Sequence, residues 1–285
     1  MRSQFFIYLQ NILPQHLLSE FAGKLAESRS PALKNFLIKR FIKKYNIDMN
    51  EANIQNPGDY ACFNDFFIRE LRPELRPVAT EKNVITSPVD GTVSAIGSIK
   101  EHQLLQAKNF YFQLTELLGG DKELAQDFYN GNYTTLYLAP HNYHRVHMPF
   151  SGKLLKTIYV PGKLFSVNKI TTELVPNLFS RNERLISIFE TEAGLMTVIL
   201  VGAMIVGTIQ TVWMKEPIRA KQIITKTFTN NIFLEKGAEL GYFKLGSTVI
   251  LLFQNDRTRW DSTLQPDSLI KYGQSLGIIS DLSQK

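Results

Sequence analysis

The stretch KLGSTVILLF, residues 244–253, decides the fold class of this chain of 285 residues. Its last five residues are all apolar, and such a run is typical of a β-strand that is buried on both faces. From about Val84 onwards similar short runs recur, separated by Gly and Pro, and one helical insertion at residues 110–131 interrupts them. The pattern predicts an α+β protein whose helical N-terminal arm lies on a mostly antiparallel β domain.

The N-terminal arm is predicted to cover residues 1–60, ahead of a β-rich domain at 61–285. Residues 1–50 contain eight Lys or Arg against three Asp or Glu, so most of the net charge of +6 belongs to the arm. Within it, Ser30 is suited to be the N-cap and Pro31 the first residue of a basic amphipathic helix. That helix either lies in an anionic membrane interface or packs on the domain as an ordinary surface helix. Its expected apolar face comprises Leu33, Phe36, Leu37 and Phe41.

Composition and charge argue against several classes of protein. A single cysteine, Cys62, cannot form an intramolecular disulfide or a cysteine-rich metal site. Outside the first fifty residues the charges nearly cancel, so we expect no nucleic-acid partner. No run approaches the roughly 20 apolar residues that span a bilayer. Polar residues interrupt the apolar N-terminus and no cleavage site follows, which indicates mature protein rather than a signal peptide.

Three of the five histidines, His141, His144 and His147, fall within the segment APHNYHRVHMPFSG. The prolines near its ends argue against a helix, and in an extended chain residues three apart face opposite sides. No acidic residue lies nearby to complete a metal shell, so we expect no metal site. Two interpretations remain: structural histidines, or acid–base catalysis by one or two of them in a cleft.

Asp90 and Ser247 are further candidates for chemistry. Asp90, between Pro88 and Gly91, could orient a histidine base, although Asp-Gly is also a common turn sequence. Ser247 follows Gly246, whose carbonyl lacks the shielding of a Cβ atom. With a base and backbone strain, the serine hydroxyl could attack that carbonyl and shift the acyl group from N to O. On local grounds, a plain turn before the strand also explains the Gly-Ser pair.

Several motifs occur in the same order as in one known family: FNDFFIRELRPELRP, SPVDGTV, YHRVHMPFSG, LFSVN, NERL, VGAMIVG and KGAELGYFKLGST. With them, the chain closely resembles the phosphatidylserine decarboxylase family of the membrane-associated bacterial type, from about Phe63 to the C-terminus. The arm ahead of Phe63 is similar in its basic, helical character. The Leu-Gly-Ser-Thr sequence at 245–248 is the most specific of these motifs.

The resemblance implies a proenzyme that cuts itself between Gly246 and Ser247. The Ser247 hydroxyl would attack the Gly246 carbonyl to form an ester, and β-elimination would release the upstream chain. Hydrolysis of the remaining dehydroalanine would give ammonia and a pyruvoyl group, the covalent cofactor. A β chain of 1–246 and an α chain of 247–285 would stay together as a heterodimer, which could itself dimerise.

The resemblance also implies a role for each site residue. Asp90, His147 and Ser247 match the charge-relay positions of the family. His144 matches a position implicated in decarboxylation and protonation. The remaining candidates, Ser166 and Asn168 of LFSVN, would hold the head group or the carboxylate.

The reaction implied by the resemblance is the conversion of phosphatidylserine to phosphatidylethanolamine. The pyruvoyl ketone would form a Schiff base with the serine amine and accept the electrons released when CO2 leaves. The protein would then be a lyase of phospholipid biosynthesis. It would bind peripherally to anionic phospholipid on the cytoplasmic face of the cytoplasmic membrane.

Three other functions are compatible with parts of the sequence. A serine hydrolase or lipase could use Asp90, His147 and Ser247, although the Gly-x-Ser-x-Gly elbow is missing. A carrier module is suggested by the turn-rich stretch SPVDGTVSAIG, which lacks the modifiable lysine of lipoyl and biotin domains. A relative of the decarboxylases could act on another serine lipid with the same head-group chemistry.

Overall fold

A computed structural model describes residues 2–107, 110–204, 208–244 and 247–280 of the chain. It confirms the α+β class, with helices concentrated ahead of a β domain. The helices are α1 (Arg2–Ile12), α2 (Gln15–Ala26), α3 (Pro31–Tyr45), α4 (Phe63–Phe67), α5 (Leu114–Leu117), α6 (Lys122–Gln126), α7 (Lys169–Leu174) and α8 (Leu178–Arg181), with 3-10 turns at Met49–Glu51, Pro57–Asp59 and Pro73–Leu75.

The described strands are β1 (Val84–Thr86), β2 (Gly91–Ser98), β3 (Gln103–Ala107), β4 (Phe110–Gln113), β5 (Asn132–Leu138), β6 (Arg145–His147), β7 (Gly152–Val160), β8 (Arg184–Thr191), β9 (Gly194–Val201), β10 (Ile209–Thr211), β11 (Ile224–Thr227), β12 (Phe233–Leu234), β13 (Glu239–Phe243), β14 (Ser247–Phe253), β15 (Thr258–Trp260), β16 (Leu269–Ile270) and β17 (Ser275–Ile279).

The main sheet is antiparallel and places β14 in its interior. Its order is β11-β7-β8-β9-β14-β5-β2-β16, with β12 also paired to β7. All seven residues of β14 are buried, because β9 and β5 flank it and the core covers both faces. This burial explains why the strand reads as an unbroken apolar run instead of an alternating one, and it confirms the predicted strand.

Two three-stranded sheets, with orders β10-β13-β6 and β1-β17-β15, accompany the main sheet. A β3–β4 hairpin corrects the prediction for residues 110–131, which are only partly helical. The first four residues of that segment alternate, with Phe112 buried and Tyr111 half exposed, and they pair with β3 before α5 and α6 begin. The period-two pattern is therefore a strand signal at this position.

The arm is tied to the β domain by a small second core and by two glutamines. That core consists of buried residues between Ala26 and Phe67, among them Tyr60 and Phe63. It therefore extends across the predicted boundary after residue 60. The amide oxygens of Gln10 and Gln15 accept hydrogen bonds from the backbone N–H groups of Ser166 (2.8 Å) and Leu164 (2.7 Å). No helix within the described ranges is long and apolar enough to cross a bilayer.

Helix α3 begins at Pro31 as predicted, but two of its details differ from the sequence-based expectation. Ser30 occupies the N-cap position without a capping hydrogen bond from its side chain. Ile38 is fully buried while Phe36 is 59% exposed, so the buried face is rotated from the predicted one. The small core selects this face because Ile38 is packed among the aromatic rings of α4, which the periodicity of α3 alone does not specify.

Candidate active site

Ser247 is the first residue of β14 and lies at the edge where several strands of the main sheet end. It pairs with Leu138, the last residue of β5, while the next residue, Thr248, pairs with Val201, the last residue of β9. The Ser247 side chain is fully buried, and its hydroxyl has no hydrogen-bond partner among the residues that the structure describes. The other half of the predicted cleavage point, Gly246, lies outside the described residues. The buried strand thus holds a hydroxyl that no structural contact occupies.

The histidine segment connects this edge of the main sheet to a second sheet. It leaves the main sheet after Leu138, which pairs with Ser247, and ends in β6, which pairs with β13 in a separate three-stranded sheet. The carbonyl of His144 accepts a 3.1 Å hydrogen bond from the N–H of Phe243, four residues before Ser247. The fold therefore brings the histidine segment and the Ser247 region together from separate parts of the sequence.

His147 is a buried, neutral imidazole in the structure. Its Nδ1 lies 2.9 Å from the carbonyl oxygen of Gly237, and its Nε2 lies 2.9 Å from the hydroxyl of Tyr143. Because a carbonyl only accepts, Nδ1 carries the proton and Nε2 accepts from Tyr143. Burial lowers the pKa of His147 to about 4, although the Gly237 carbonyl and Asp90 act in the opposite direction. The lone pair of Nε2 accepts the hydrogen bond from Tyr143, and Nε2 is the atom that would take up a proton.

Asp90 belongs to the same cluster of side chains as Tyr143, His147 and Tyr272, but it does not hydrogen-bond to the His147 ring. Arg76 binds its carboxylate through Nε (3.0 Å to Oδ1) and Nη2 (2.7 Å to Oδ2), and the N–H of Tyr272 donates at 2.8 Å. The Tyr272 ring in turn stacks on His147 with centroids 3.8 Å apart. The backbone N–H of His147 donates to the carbonyl of Pro88, which brings the two segments together.

The carbonyl of Gly237 fixes the tautomer of His147 in this structure. The sequence had predicted Asp90 for this role. Both oxygens of Asp90 are engaged by Arg76 and Tyr272, and both ring nitrogens of His147 have other partners. Asp90 acts on His147 through its charge, which raises the pKa of the imidazole and so favours the imidazolium.

His144 is fully buried and has one free ring nitrogen. Its Nδ1 lies 2.8 Å from the carbonyl oxygen of Asn142, and its ring packs on Phe67 with centroids 4.2 Å apart. Its Nε2 is buried without a partner. Burial, with a smaller effect from the charge of Arg69, lowers the pKa of His144 to about 3, so this ring is also neutral. Nε2 is the atom through which His144 could exchange a proton.

The other residues singled out from the sequence have structural contacts. The Asn168 side chain accepts from the N–H of Thr171 at 3.2 Å and caps α7, and Ser166 donates its N–H to Gln10 on α1. His141 is exposed, and its carbonyl accepts from Arg69. Across the part of the chain that the structure describes, no group of three or more His, Cys, Asp or Glu side chains could hold a metal ion.

A cleft of about 650 Å³ lies between α2 and the β domain, and a smaller one of about 340 Å³ adjoins it. The larger cleft is lined by α2 and by Glu183, whose carbonyl accepts from Gly202, the residue after Val201 in β9. The smaller cleft is lined by Lys244, three residues before Ser247.

Comparison with known proteins assigns the chain to a family. The sequence model of the phosphatidylserine decarboxylase family matches residues 63–278, and a second model, described as PSD, matches residues 5–46. A phosphatidylserine decarboxylase proenzyme from Azotobacter vinelandii is 49% identical over 282 residues, covering 97% of this chain and 99% of that protein. Proteins of the same name from Bordetella avium (48% over 280 residues; 97% and 95% covered) and Legionella pneumophila strain Corby (48% over 276 residues; 95% and 96% covered) are similarly related.

Similarity of this extent shows that the protein is an enzyme of the decarboxylase class. The chain belongs to the phosphatidylserine decarboxylase family.

Proposed function

We propose that the protein decarboxylates phosphatidylserine to phosphatidylethanolamine, using a pyruvoyl group made from its own Ser247. The observation that carries the proposal is the Ser247 hydroxyl, which is buried at the start of β14 and has no hydrogen-bond partner among the described residues. The names and the extent of the similar proteins support the substrate and the proenzyme state.

In the proposed self-cleavage, Ser247 Oγ attacks the carbonyl carbon of Gly246 and the C–N bond between them breaks. The proton of the hydroxyl goes to Nε2 of His147, the ring nitrogen to which the Tyr143 hydroxyl donates in the structure. Burial raises the pKa of Tyr143, so its proton is retained for that hydrogen bond. The charge of Asp90 stabilises the imidazolium that forms.

The ester that results eliminates the Gly246 carboxylate, and hydrolysis of the dehydroalanine gives ammonia and the pyruvoyl group. The Cβ atom of Ser247 becomes the methyl carbon of the pyruvoyl group, and this change fits the site because the departing hydroxyl makes no hydrogen bond with the described residues that would be lost. When formed, the group supplies an electron sink for the departure of CO2. His144 is the candidate that delivers the proton to the substrate carbon, through its unpartnered Nε2.

The wild-type protein provides the first test. We expect purified protein to contain two chains of 246 and 39 residues (285 − 246 = 39), with a pyruvoyl-blocked N-terminus on the smaller one. It should release CO2 from phosphatidylserine. Intact mass spectrometry and an assay with carboxyl-labelled lipid measure both. An uncut 32.6 kDa chain that releases fatty acid would instead indicate the serine hydrolase.

We also propose peripheral binding to the cytoplasmic face of the cytoplasmic membrane. Helices α1 and α2 expose large apolar side chains, among them Tyr8, Ile12, Leu17 and Phe21, each more than 60% exposed. Basic residues of α3 lie in the same arm, and apolar burial together with attraction to anionic lipid favours an interfacial position.

Replacing Phe21 with glutamate should weaken binding to phosphatidylglycerol-containing vesicles by about tenfold or more, because burial of a Phe side chain contributes about 1.5–3 kcal/mol. Vesicle co-sedimentation measures this. The control is Tyr111→Glu, which makes the same change at an aromatic residue 49% exposed on the β domain and should leave binding intact. Equal vesicle binding by both variants and the wild type would contradict the assignment of the arm as the membrane-binding segment.

A further inference from the structure

Arg69 is an almost fully buried cation with unused hydrogen-bonding capacity. The residue is 6% exposed, and its Nη2 donates a long 3.3 Å hydrogen bond to the His141 carbonyl. Its Nε and Nη1 are buried and have no partner. A buried unpaired donor is costly, and a buried unpaired charge more so, so such groups are rare without a functional reason.

The acidic residues nearest to Arg69 are occupied elsewhere. Glu51 and Asp90 act on Arg69 only at longer range, because both carboxylates are hydrogen-bonded to Arg76. Within the described ranges, Arg69 forms no ion pair. The guanidinium is therefore held in place without a counter-ion from the described part of the chain.

Arg69 lies beside the proposed chemistry. Its guanidinium sits over the ring of Phe66, 5.3 Å from the centroid, while the neighbouring ring of Phe67 packs on His144. Its charge is also one of the causes that lower the pKa of His144. The unpartnered donors of Arg69 and the unpartnered Nε2 of His144 thus belong to one buried region.

We propose that Arg69 binds the phosphodiester of the lipid substrate through its free Nε and Nη1 donors. The inference rests on the proposed function. A planar guanidinium fork matches two oxygens of a phosphate, and such charge-assisted bonds are strong. The serine carboxylate is the less suitable ligand, because its charge leaves the carboxylate during decarboxylation and a cation bound there would stabilise the ground state. The phosphodiester keeps its charge throughout the reaction.

The test compares two substrates in the processed enzyme. One is phosphatidylserine; the other is a serine ether with an alkyl chain on the side-chain oxygen and no phosphate. Arg69→Gln should raise KM for phosphatidylserine by about 10- to 100-fold with little change in kcat, as expected for loss of a uniform binding contact. KM for the ether should not change. Arg69→Lys keeps the charge but loses the planar fork. Its KM for phosphatidylserine should lie between that of the wild type and that of Arg69→Gln.

Two controls separate binding from structure. Arg72→Gln alters an exposed arginine of the same segment, paired with Glu74, and should leave both KM values unchanged. Inorganic phosphate should raise the Tm of the wild type and not that of Arg69→Gln. Without ligand, Arg69→Gln should be at least as stable as the wild type, since an unpaired charge has been removed. If Arg69→Gln does not fold, Arg69→Lys provides the comparison.

The outcomes are distinct. An unchanged KM for phosphatidylserine in Arg69→Gln, or an equal rise for both substrates, would overturn the assignment. A phosphate effect on Tm without any effect on KM would indicate a site for inorganic phosphate only, and would also overturn it. A wild-type enzyme that decarboxylates neither substrate would refute the proposed function, while the Tm measurement would still report on Arg69.

Discussion

Replacing Ser247 with alanine should leave a single uncut chain of 32.6 kDa with no decarboxylase activity. The hydroxyl is the proposed nucleophile and, once acylated, the leaving group of the β-elimination that leads to the pyruvoyl group, so its loss removes cleavage and cofactor together. Folding should be unaffected, because the hydroxyl is buried without a hydrogen bond and alanine removes an unsatisfied polar group. Electrophoresis, intact mass and thermal unfolding measure the three effects.

Ser187→Ala is the matched control for this experiment. Ser187 is also fully buried in the main sheet, on β8, and its hydroxyl likewise has no partner. This variant should cut itself and decarboxylate like the wild type. Cleavage of Ser247→Ala at the same position, or full activity of an uncut Ser247→Ala chain, would refute the mechanism.

Substitution of the two histidines should separate self-cleavage from decarboxylation. His147→Ala should slow cleavage by about 100- to 10,000-fold, the usual contribution of a general base. His144→Ala should cut normally and lose kcat for phosphatidylserine by a similar factor. The reason is the different bonding of the rings: Nε2 of His147 accepts from Tyr143, whereas Nε2 of His144 is unpartnered. Time courses of precursor made by cell-free synthesis, followed by assays of the cut enzyme, measure both.

The pH dependence of cleavage gives a check on the same assignment. Burial holds the pKa of His147 near 4, so the base form persists below the ordinary value of 6.5, and the rate should be lost only as the pH falls through about 4. The unfolded state binds more protons between pH 6.5 and 4, so the free energy of unfolding falls as the pH is lowered across that range. Circular dichroism must therefore confirm folding at each pH.

His102→Ala is the control for both histidine variants, because His102 lies outside the cluster, beside Tyr129. It should neither slow cleavage nor reduce turnover. Normal cleavage by both His147→Ala and His144→Ala would show that the assigned roles are wrong.

The sequence predicted the strand β14 and the α+β class because a continuous apolar run directly reports burial on both faces. It did not predict which face of α3 is buried. Leu37, Ile38 and Phe41 all have helical spacing, and the position of the α4 rings selects the face centred on Ile38. The start of the insertion at 110–131 was wrongly predicted to be helical. The buried and exposed side chains of β4 alternate over only four residues, which is too short to be distinguished from the helix that follows.

Candidate residues for the site could be chosen from the sequence, but their contacts could not. Asp90, His144, His147 and Ser247 were recognised through sequence motifs, and the structure gathers the segments that carry them. The partners of Asp90 and His147 were missed because they lie far away in the chain, with Tyr272 182 residues from Asp90 and Gly237 90 residues from His147. Only Tyr143, four residues before His147, was close enough for local reasoning to find it.

The interior position of β14 has a consequence for the life of the enzyme. On the proposed mechanism, the 39-residue chain begins with this strand, which forms two ladders of hydrogen bonds with β9 and β5. The catalytic group is therefore a fixed part of the hydrophobic core and cannot dissociate and be replaced as a diffusible coenzyme can. Each molecule carries one such group for its whole lifetime. Chemical damage to it, by a reductant or a trapped amine, ends the working life of that molecule, and activity is restored only by synthesis and maturation of a new chain.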